Sequence, residues 1–529
     1  MKRALCISVI FASAAYSGST YYVDCAAGDD GANGLSPSAA WRSVRRVSAH
    51  HFRPGEAVLF HRGSECTGTL WPKGSGNAAH PIVLGAWGSG ALPKVRAGRW
   101  AEAAFRLLDQ EHWTVEHIEF IGGNPHGMFI SGTQGVLHGI TVRDVIVHGV
   151  TGQPRNKEGG LLVIAPSSAR QRFDGVVVDG VTAYGTSQWS GILVGSVALG
   201  FLPEEARSTN VTIRNAIVHS VAGDGIVLFQ VNRGAIENSV AWYTGMQKTQ
   251  TIGTPNAIWT WMCRQCAVRR CEAFLSDSPG VDGGAFDIDY GDDDNVVEDS
   301  YAHDTQGYCA AIFGAGRVTT NSVIRRNVCL DNGRSPRLAV AQGAVFLTTW
   351  HRGRLKGVQI SDNRIFWDPP IAARPIVNTA KIDGAATIER NTIETRMPPA
   401  AVSSAGRWRL YLFASGEDDA RGQVTLLASA YRQFHAAGLD AGIIAPDDGG
   451  TDRARNRAWD WNLGAITVES NGARLRQRLQ VTAAPALVLE NPSGQIVWRR
   501  DGPINPGDLG LALREHLGNP DYAKMISEP

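Results

Sequence analysis

Two aspartates, Asp287 and Asp289, lie in the densest polar stretch of the 529-residue chain, Gly283-Gly284-Ala285-Phe286-Asp287-Ile288-Asp289-Tyr290-Gly291-Asp292-Asp293-Asp294. Phe286 and Ile288 alternate with them. A strand of that pattern sends its apolar side chains into a core and both carboxylates out of the opposite face. Such a pair suits acid–base chemistry at a glycosidic bond, one group protonating the leaving oxygen and the other acting as base or nucleophile. Side chains at i and i+2 of a strand start about 6–7 Å apart, a gap that rotation can adjust. The same pair offers oxygen ligands for calcium. Taken alone, the stretch reads equally as a polar turn with solvated carboxylates.

Trp259 and Trp261 stand about thirty residues upstream, in Ala257-Ile258-Trp259-Thr260-Trp261, and His303-Asp304 follow downstream. Lys248 and Arg264 flank the tryptophan strand. A base such as Lys248, Arg264 or His303 could take the proton beside a uronate carboxylate, which is the chemistry of a lyase, with the aspartates then holding calcium. Each of these residues, read singly, is also an ordinary surface or turn residue.

The elements that would position them repeat along the chain. An apolar residue followed by Asp, Asn or Arg recurs at Val115, Val142, Val178, Ile213, Ile236, Val268, Val297, Ile324, Ile360 and Ile388, at an average spacing of about thirty residues, within the range of solenoid repeats. A second column, out of phase with it, runs through Gly127, Gly160, Gly191, Gly225, Ala257, Ala285, Ala311 and Ala344. Two such columns describe a parallel β-helix whose inward residues form apolar ladders. Stacking the second column with Ile192, Ile226, Ile258, Phe286, Ile312 and Val345 inward places Trp259, Asp287, Phe313 and Phe346 in one outward row. Trp261 and Asp289 then share a second row. The expectation is a pair of exposed tryptophans, with Phe313, forming a sugar platform beside the carboxylates, unless a loop such as 243–255 covers them. Asn215, Asn238, Asn327, Asn363 and Asn391 fall at the turn after the first strand, where stacked amides can bond from coil to coil.

Charge is balanced, 51 Lys and Arg against 50 Asp and Glu, and no basic run marks a nucleic-acid partner. Lys2 and Arg3 before the apolar run Ala4–Ala15 read as a secretory signal over residues 1–18, implying a periplasmic or extracellular protein. No later segment is long enough to span a membrane. Export permits disulfides, and Cys25 and Cys66, the pair near the N-terminus, are expected to bridge. Cys263 and Cys266 have CxxC spacing with no second pair for zinc, so they form either a local disulfide or buried thiols. A short helix over Trp41, Val44 and Val47, capped at Ser38, is expected to close the first end of the solenoid.

The opening Tyr21-Tyr22-Val23-Asp24, Gly28-Asp29-Asp30-Gly31, Gly34-Leu35-Ser36-Pro37 and Trp41, with Gly85-Ala86-Trp87-Gly88, resembles the N-terminal region of secreted bacterial right-handed parallel β-helix proteins of the pectate-lyase-like superfamily. The resemblance covers residues 20–397. It implies the fold but not the reaction, since that superfamily includes lyases, hydrolases, epimerases and members without known activity. The arginine-centred pectate-lyase signature and the Asn-Thr-Asp pattern of polygalacturonases are absent. Residues 401–529 form a separate α/β unit. Its strand–helix order and Pro485 resemble the thioredoxin fold, with Ser415-Gly416-Glu417-Asp418-Asp419 where a CxxC would stand.

The chain therefore reads as mainly β, a right-handed parallel β-helix over 19–400 with an N-terminal capping helix, followed by a small thioredoxin-like domain. The expected function is a secreted protein acting on polysaccharide, either a glycoside hydrolase or a polysaccharide lyase, with no cofactor or with calcium at Asp287 and Asp289. The alternative is a non-catalytic carbohydrate-binding scaffold with structural calcium. The tail either covers the open end of the solenoid or binds a protein partner.

Overall fold

A computed structural model describes residues 17–155, 157–246, 253–369, 371–395, 406–414, 417–445, 452–470 and 472–527. Most of the expected signal segment and Lys248 lie outside the described residues.

Three long sheets of 13, 12 and 10 strands, every neighbouring pair parallel, wrap one apolar interior in a parallel β-helix. The first sequence column is the inward ladder of the 13-stranded sheet. Val115, Val142, Val178, Ile213, Ile236, Val268, Val297, Ile324, Ile360 and Ile388 pair in unbroken register. The Asp, Asn or Arg after each coil's strand has a physical reason. The chain turns into the 12-stranded sheet through one residue in the left-handed region, as at Asp144, Asn238, Asp299 and Asp362, and Asx residues tolerate that region better than most. The 12-stranded sheet itself has no separate signature in the sequence, because its strands are mostly three to five residues long and directly follow that bend.

The amide ladder forms in its lower part. Asn327 donates through its backbone N–H and Nδ2 to Asn363 Oδ1, and Asn363 does the same to Asn391 Oδ1, at 2.8–3.0 Å. Above it, Ser300 and Ser239 take the equivalent places, their Oγ atoms accepting the N–H of Cys271 and Ala216. Asn215 turns instead to Asp179.

Cys25 and Cys66 are bridged as expected, and a second disulfide, Cys309–Cys329, joins two strands of the tube. Cys263, Cys266 and Cys271 are buried thiols. The N-terminal helix is shorter than expected, Val44–Ala49. Ser43, not Ser38, caps it by accepting the Arg46 N–H at 3.2 Å, because Pro37–Ala39 forms a separate 3₁₀ turn.

The C-terminal unit has a mixed five-stranded sheet in the order Thr467–Ser470, Leu439–Ala445, Trp408–Phe413, Ala486–Glu490, Ile496–Asp501, with helices Glu417–Phe434 and Pro506–Leu517. It docks on the flank of the tube and not on its end. Val240, Trp242 and Phe274, outward residues of the 12-stranded sheet, share one apolar cluster with Leu410, Leu427 and Leu509. In the last coil Ile388 and Ile393 remain 41% and 48% exposed.

Candidate active site

The strand Phe286–Ile288 belongs to the 10-stranded sheet, with Phe286 and Ile288 in the core and Asp287 on the outer face, level with Trp259 of the preceding coil. In the following coil the register differs from expectation by two residues. Asp287 pairs with Ala311, and Ile312 pairs with Ile288. A slip of two preserves facing, so Phe313 still points outward, one step further along the strand.

These residues line a pocket of about 570 Å³ that opens to solvent on one side. Asp287 and Asp289 lie in it with Asp282, Trp259, Asn256, Lys157, Phe313 and Phe346. Asp287 is 1% exposed and its Oδ2 accepts a hydrogen bond from Asn256 Nδ2 at 3.2 Å, while its Oδ1 has no partner among the described residues. Trp259 Nε1 is likewise buried without a partner. An orphaned acceptor and an orphaned donor in the lining of one cavity are the groups a hydroxyl-bearing ligand would satisfy, since leaving them unpaired costs about 1–3 kcal/mol each.

Asn256 is held from several sides. Its Oδ1 accepts from Tyr308 Oη at 2.8 Å and from the Gly284 N–H at 3.0 Å, and its own N–H donates to Asp224 Oδ1 at 3.0 Å. Asp224, 0% exposed, also accepts from Trp189 Nε1 and pairs with Lys157 Nζ at 3.2 Å. The Lys157 ammonium rests 3.9 Å from the centre of the Trp259 ring.

Burial and mutual repulsion raise the carboxyl groups. Asp287 is held well above the usual carboxylate range, first by burial and then by the charges of Asp289, Asp282 and Asp292. Asp289 is also well above it through burial, against a hydrogen bond from the Tyr290 N–H at 2.7 Å that favours the anion. Burial raises Asp282 too. Asp292, fully buried and not part of the pocket lining, is pushed up to about 7 by burial while accepting from Thr260 Oγ1 and the Cys263 N–H, each at 2.6 Å. A pocket that favours protonated carboxyls can supply a general acid near neutral pH.

Several expectations need correction. Trp259 and Trp261 are buried, at 3% and 6% exposure. Trp259 still lines the pocket, but Trp261 packs against Phe229, Phe201 and Tyr290 and does not line it. His303 is on the 12-stranded sheet, sealed beneath the C-terminal unit, so it belongs to a different face of the tube. Arg264 is spent in ion pairs with Glu204 and Asp293 at a turn of the coil, outside the pocket. Among the described residues, the group with three metal-capable atoms within 4.8 Å of one another is Glu111, His112 and His138, elsewhere on the surface.

Sequence reasoning missed Asp282 and Lys157 as members of this site. Both have left-handed backbones, with φ of 67° and 55°, in turns outside the strand alternation. The available signal was the company they keep, since each stands within three residues of a glycine pair, Gly283-Gly284 or Gly159-Gly160.

No family model matches the chain. A lacto-N-biosidase of Bifidobacterium longum subsp. longum is 23% identical over 573 aligned positions, covering 82% of this chain and 35% of that protein. The chain thus spans about a third of the length of the curated relative it matches. A crystal structure of a GH136 lacto-N-biosidase from Eubacterium ramulus superposes with a TM-score of 0.56 at 20% identity, covering 71% of this chain and 68% of that one. The native crystal structure of that enzyme gives 0.54 over the same shares. At this identity the likeness establishes the parallel β-helix fold.

Proposed function

We propose that the chain is a secreted glycoside hydrolase that binds carbohydrate in the pocket of the 10-stranded sheet and cleaves it with paired aspartates. The observation that carries this reading is the convergence of Asp282, Asp287 and Asp289 on one pocket beside Trp259 Nε1, which has no partner among the described residues.

Asp282 and Asp289 keep part of their surface open, whereas Asp287 lies at the floor. The reading therefore assigns the substrate-facing acid and nucleophile or base to Asp282 and Asp289. Asp282, raised less than Asp289 and favoured as the anion by hydrogen bonds from Thr254 and Tyr308 and by the charge of Lys157, takes the nucleophile or base role, which leaves Asp289 as the acid. Asp287 stays neutral beneath them and hydrogen-bonds the sugar. Hydrolysis is favoured over a lyase because His303 and Arg264, two of the three candidate bases, are positioned elsewhere. Calcium has no part in this reading, and chelation should leave turnover unchanged.

The likeness to two lacto-N-biosidases supports the class, and it suggests which substrates to assay first. Aryl glycosides, beginning with the p-nitrophenyl lacto-N-bioside, should release the aryl group. New reducing ends without an ultraviolet-absorbing unsaturated product identify a hydrolase, whereas that absorbance would replace this reading with a lyase. Binding without turnover, unchanged in Asp282→Asn and Asp289→Asn, would leave only the carbohydrate-binding scaffold.

The basic and apolar pattern of the first residues in the sequence and the two disulfides support export to the periplasm or beyond. The helix Val44–Ala49 is read as the cap of the first coil. The C-terminal unit is read as a thioredoxin-like module without redox cysteines, and what supports this is its strand order. A central Trp408–Phe413 lies between a parallel neighbour and an antiparallel hairpin. It should show no insulin reduction, and its role is structural or directed to a partner.

A further inference from the structure

A second cavity, of about 380 Å³, lies where the C-terminal unit meets the flank of the tube, on a different sheet from the carboxylate pocket. One wall is a stack of aromatic rings from successive coils. Tyr184 and His219 are 5.0 Å apart at 6°, and His219 and Trp242 are 4.4 Å apart at 10°. Beyond this stretch the stack continues to His148 on one side and Phe274 on the other. Each ring face is covered by the next ring, so the cavity meets ring edges, which carry the positive end of the aromatic quadrupole. The opposite wall, from the C-terminal unit, is apolar and includes Leu463 and Ile466.

Arg432 enters this cavity from the helix Glu417–Phe434, its guanidinium 5.8 Å from the centre of the Trp242 ring. No carboxylate is among the described residues lining the cavity, and the guanidinium has no hydrogen bond or ion pair with a described residue. Burial disfavours its charge and pulls its pKa below the usual arginine range. Burial, helped by the same cation, holds the His219 imidazole down at about 3, so that ring is neutral at physiological pH and competes for no anion. A positive fork, positive ring edges, an apolar opposite wall and no counter-charge form a complete recognition set for one kind of ligand.

We propose that this junction cavity is a second ligand site, taking a small organic anion whose carboxylate or phosphate pairs with the Arg432 fork and whose body lies against Leu463 and Ile466. A planar guanidinium binds both oxyanions bidentately, so the arms of the test separate them. Because the ligand would touch both the tube and the C-terminal unit, its binding would also tie the two together.

The test is calorimetric titration of the full chain with sodium benzoate, sodium glucuronate and sodium phosphate at constant ionic strength. Saturable one-to-one binding of at least one of them is expected, benzoate or glucuronate marking a carboxylate site and phosphate alone a phosphate site. Arg432→Gln should weaken that binding at least tenfold. Arg432→Lys, which keeps the charge and loses the fork, should fall between, and it stands in if the Gln variant does not fold. Ala465→Trp, at the exposed rim, should block binding without touching Arg432, whereas Asp289→Asn should leave it intact. The proposal is overturned if none of the three anions saturates, or if Arg432→Gln or Arg432→Lys binds as tightly as the parent. Loss of binding in Asp289→Asn would also overturn it, by locating the anion in the carboxylate pocket.

Discussion

The tube carries two buried acidic centres on different sheets, and burial has opposite outcomes in them. On the 10-stranded sheet Asp287 and Asp289 are raised well above the ordinary carboxylate range, with Lys157 the one cation lining their pocket among the described residues. On the 12-stranded sheet Asp304 is as deeply buried, yet its carboxyl is held well below that range. It pairs with the Arg514 guanidinium and accepts from Tyr522 Oη at 2.6 Å, with His303 Nδ1 at 2.7 Å. Glu272 faces the other His303 nitrogen at 3.2 Å and accepts from Ser429 Oγ at 2.6 Å and Gln433 Nε2 at 2.9 Å. Desolvation opposes the charge in both places. The difference lies in the partners, which the C-terminal unit supplies at one centre and which the pocket leaves open at the other. A satisfied centre holds two parts of a protein together, and an unsatisfied one has free energy to spend on a ligand or a reaction.

That contrast can be broken from either side. The largest effect should come from the pocket: Asp289→Asn and Asp282→Asn should each lower kcat by about a hundredfold to ten-thousandfold while far-ultraviolet circular dichroism stays unchanged. Retained activity in either variant would remove that residue from the catalytic pair. Next, Arg514→Met should destabilise the protein by about 3–5 kcal/mol in denaturant titration, because it strands the Asp304 charge beneath the C-terminal unit. A loss below 1 kcal/mol would mean that the network holds little of the interface.

The pH dependence should then have opposite signs. The folded value of Asp304 lies below its unfolded value of about 3.9, so its contribution is present above that pH and is lost as pH falls further. The pocket carboxyls have raised folded values, so their contribution is fullest in acid and declines as pH climbs from about 4 through those values. Melting temperature followed from pH 3 to pH 8 in the parent and in Asp287→Asn checks the second limb. The variant should gain relative to the parent as pH rises from about 4 to neutrality. A variant that loses stability relative to the parent as pH rises would reverse the assignment of Asp287 as the strained, proton-holding floor of the pocket.

Much of the scaffold could be read in the residues themselves. The Val/Ile column from Val115 to Ile388 maps onto one sheet without a missed rung, since a stacked inward ladder tolerates little but β-branched residues and the bend after it favours Asx. The pairing of Trp259 with Asp287 followed from the second column in the same way. What did not follow was anything set between sheets. His303 looked like a neighbour of the aspartates because it is near them in sequence, but the coil carries it around to another face.

The sequence by itself determined the coil, its two clearest ladders, the outward direction of Asp287 and the Cys25–Cys66 bridge, all of which are local periodicity or simple pairing. Only the tertiary structure decided which outward residues share a pocket. That choice depends on loops such as the one bearing Lys157, and on a C-terminal unit that settles against the flank and takes His303 and Asp304 as its own. Burial and counter-charge are properties of what packs against a residue, and for these two acidic centres the packing partners come from distant parts of the chain.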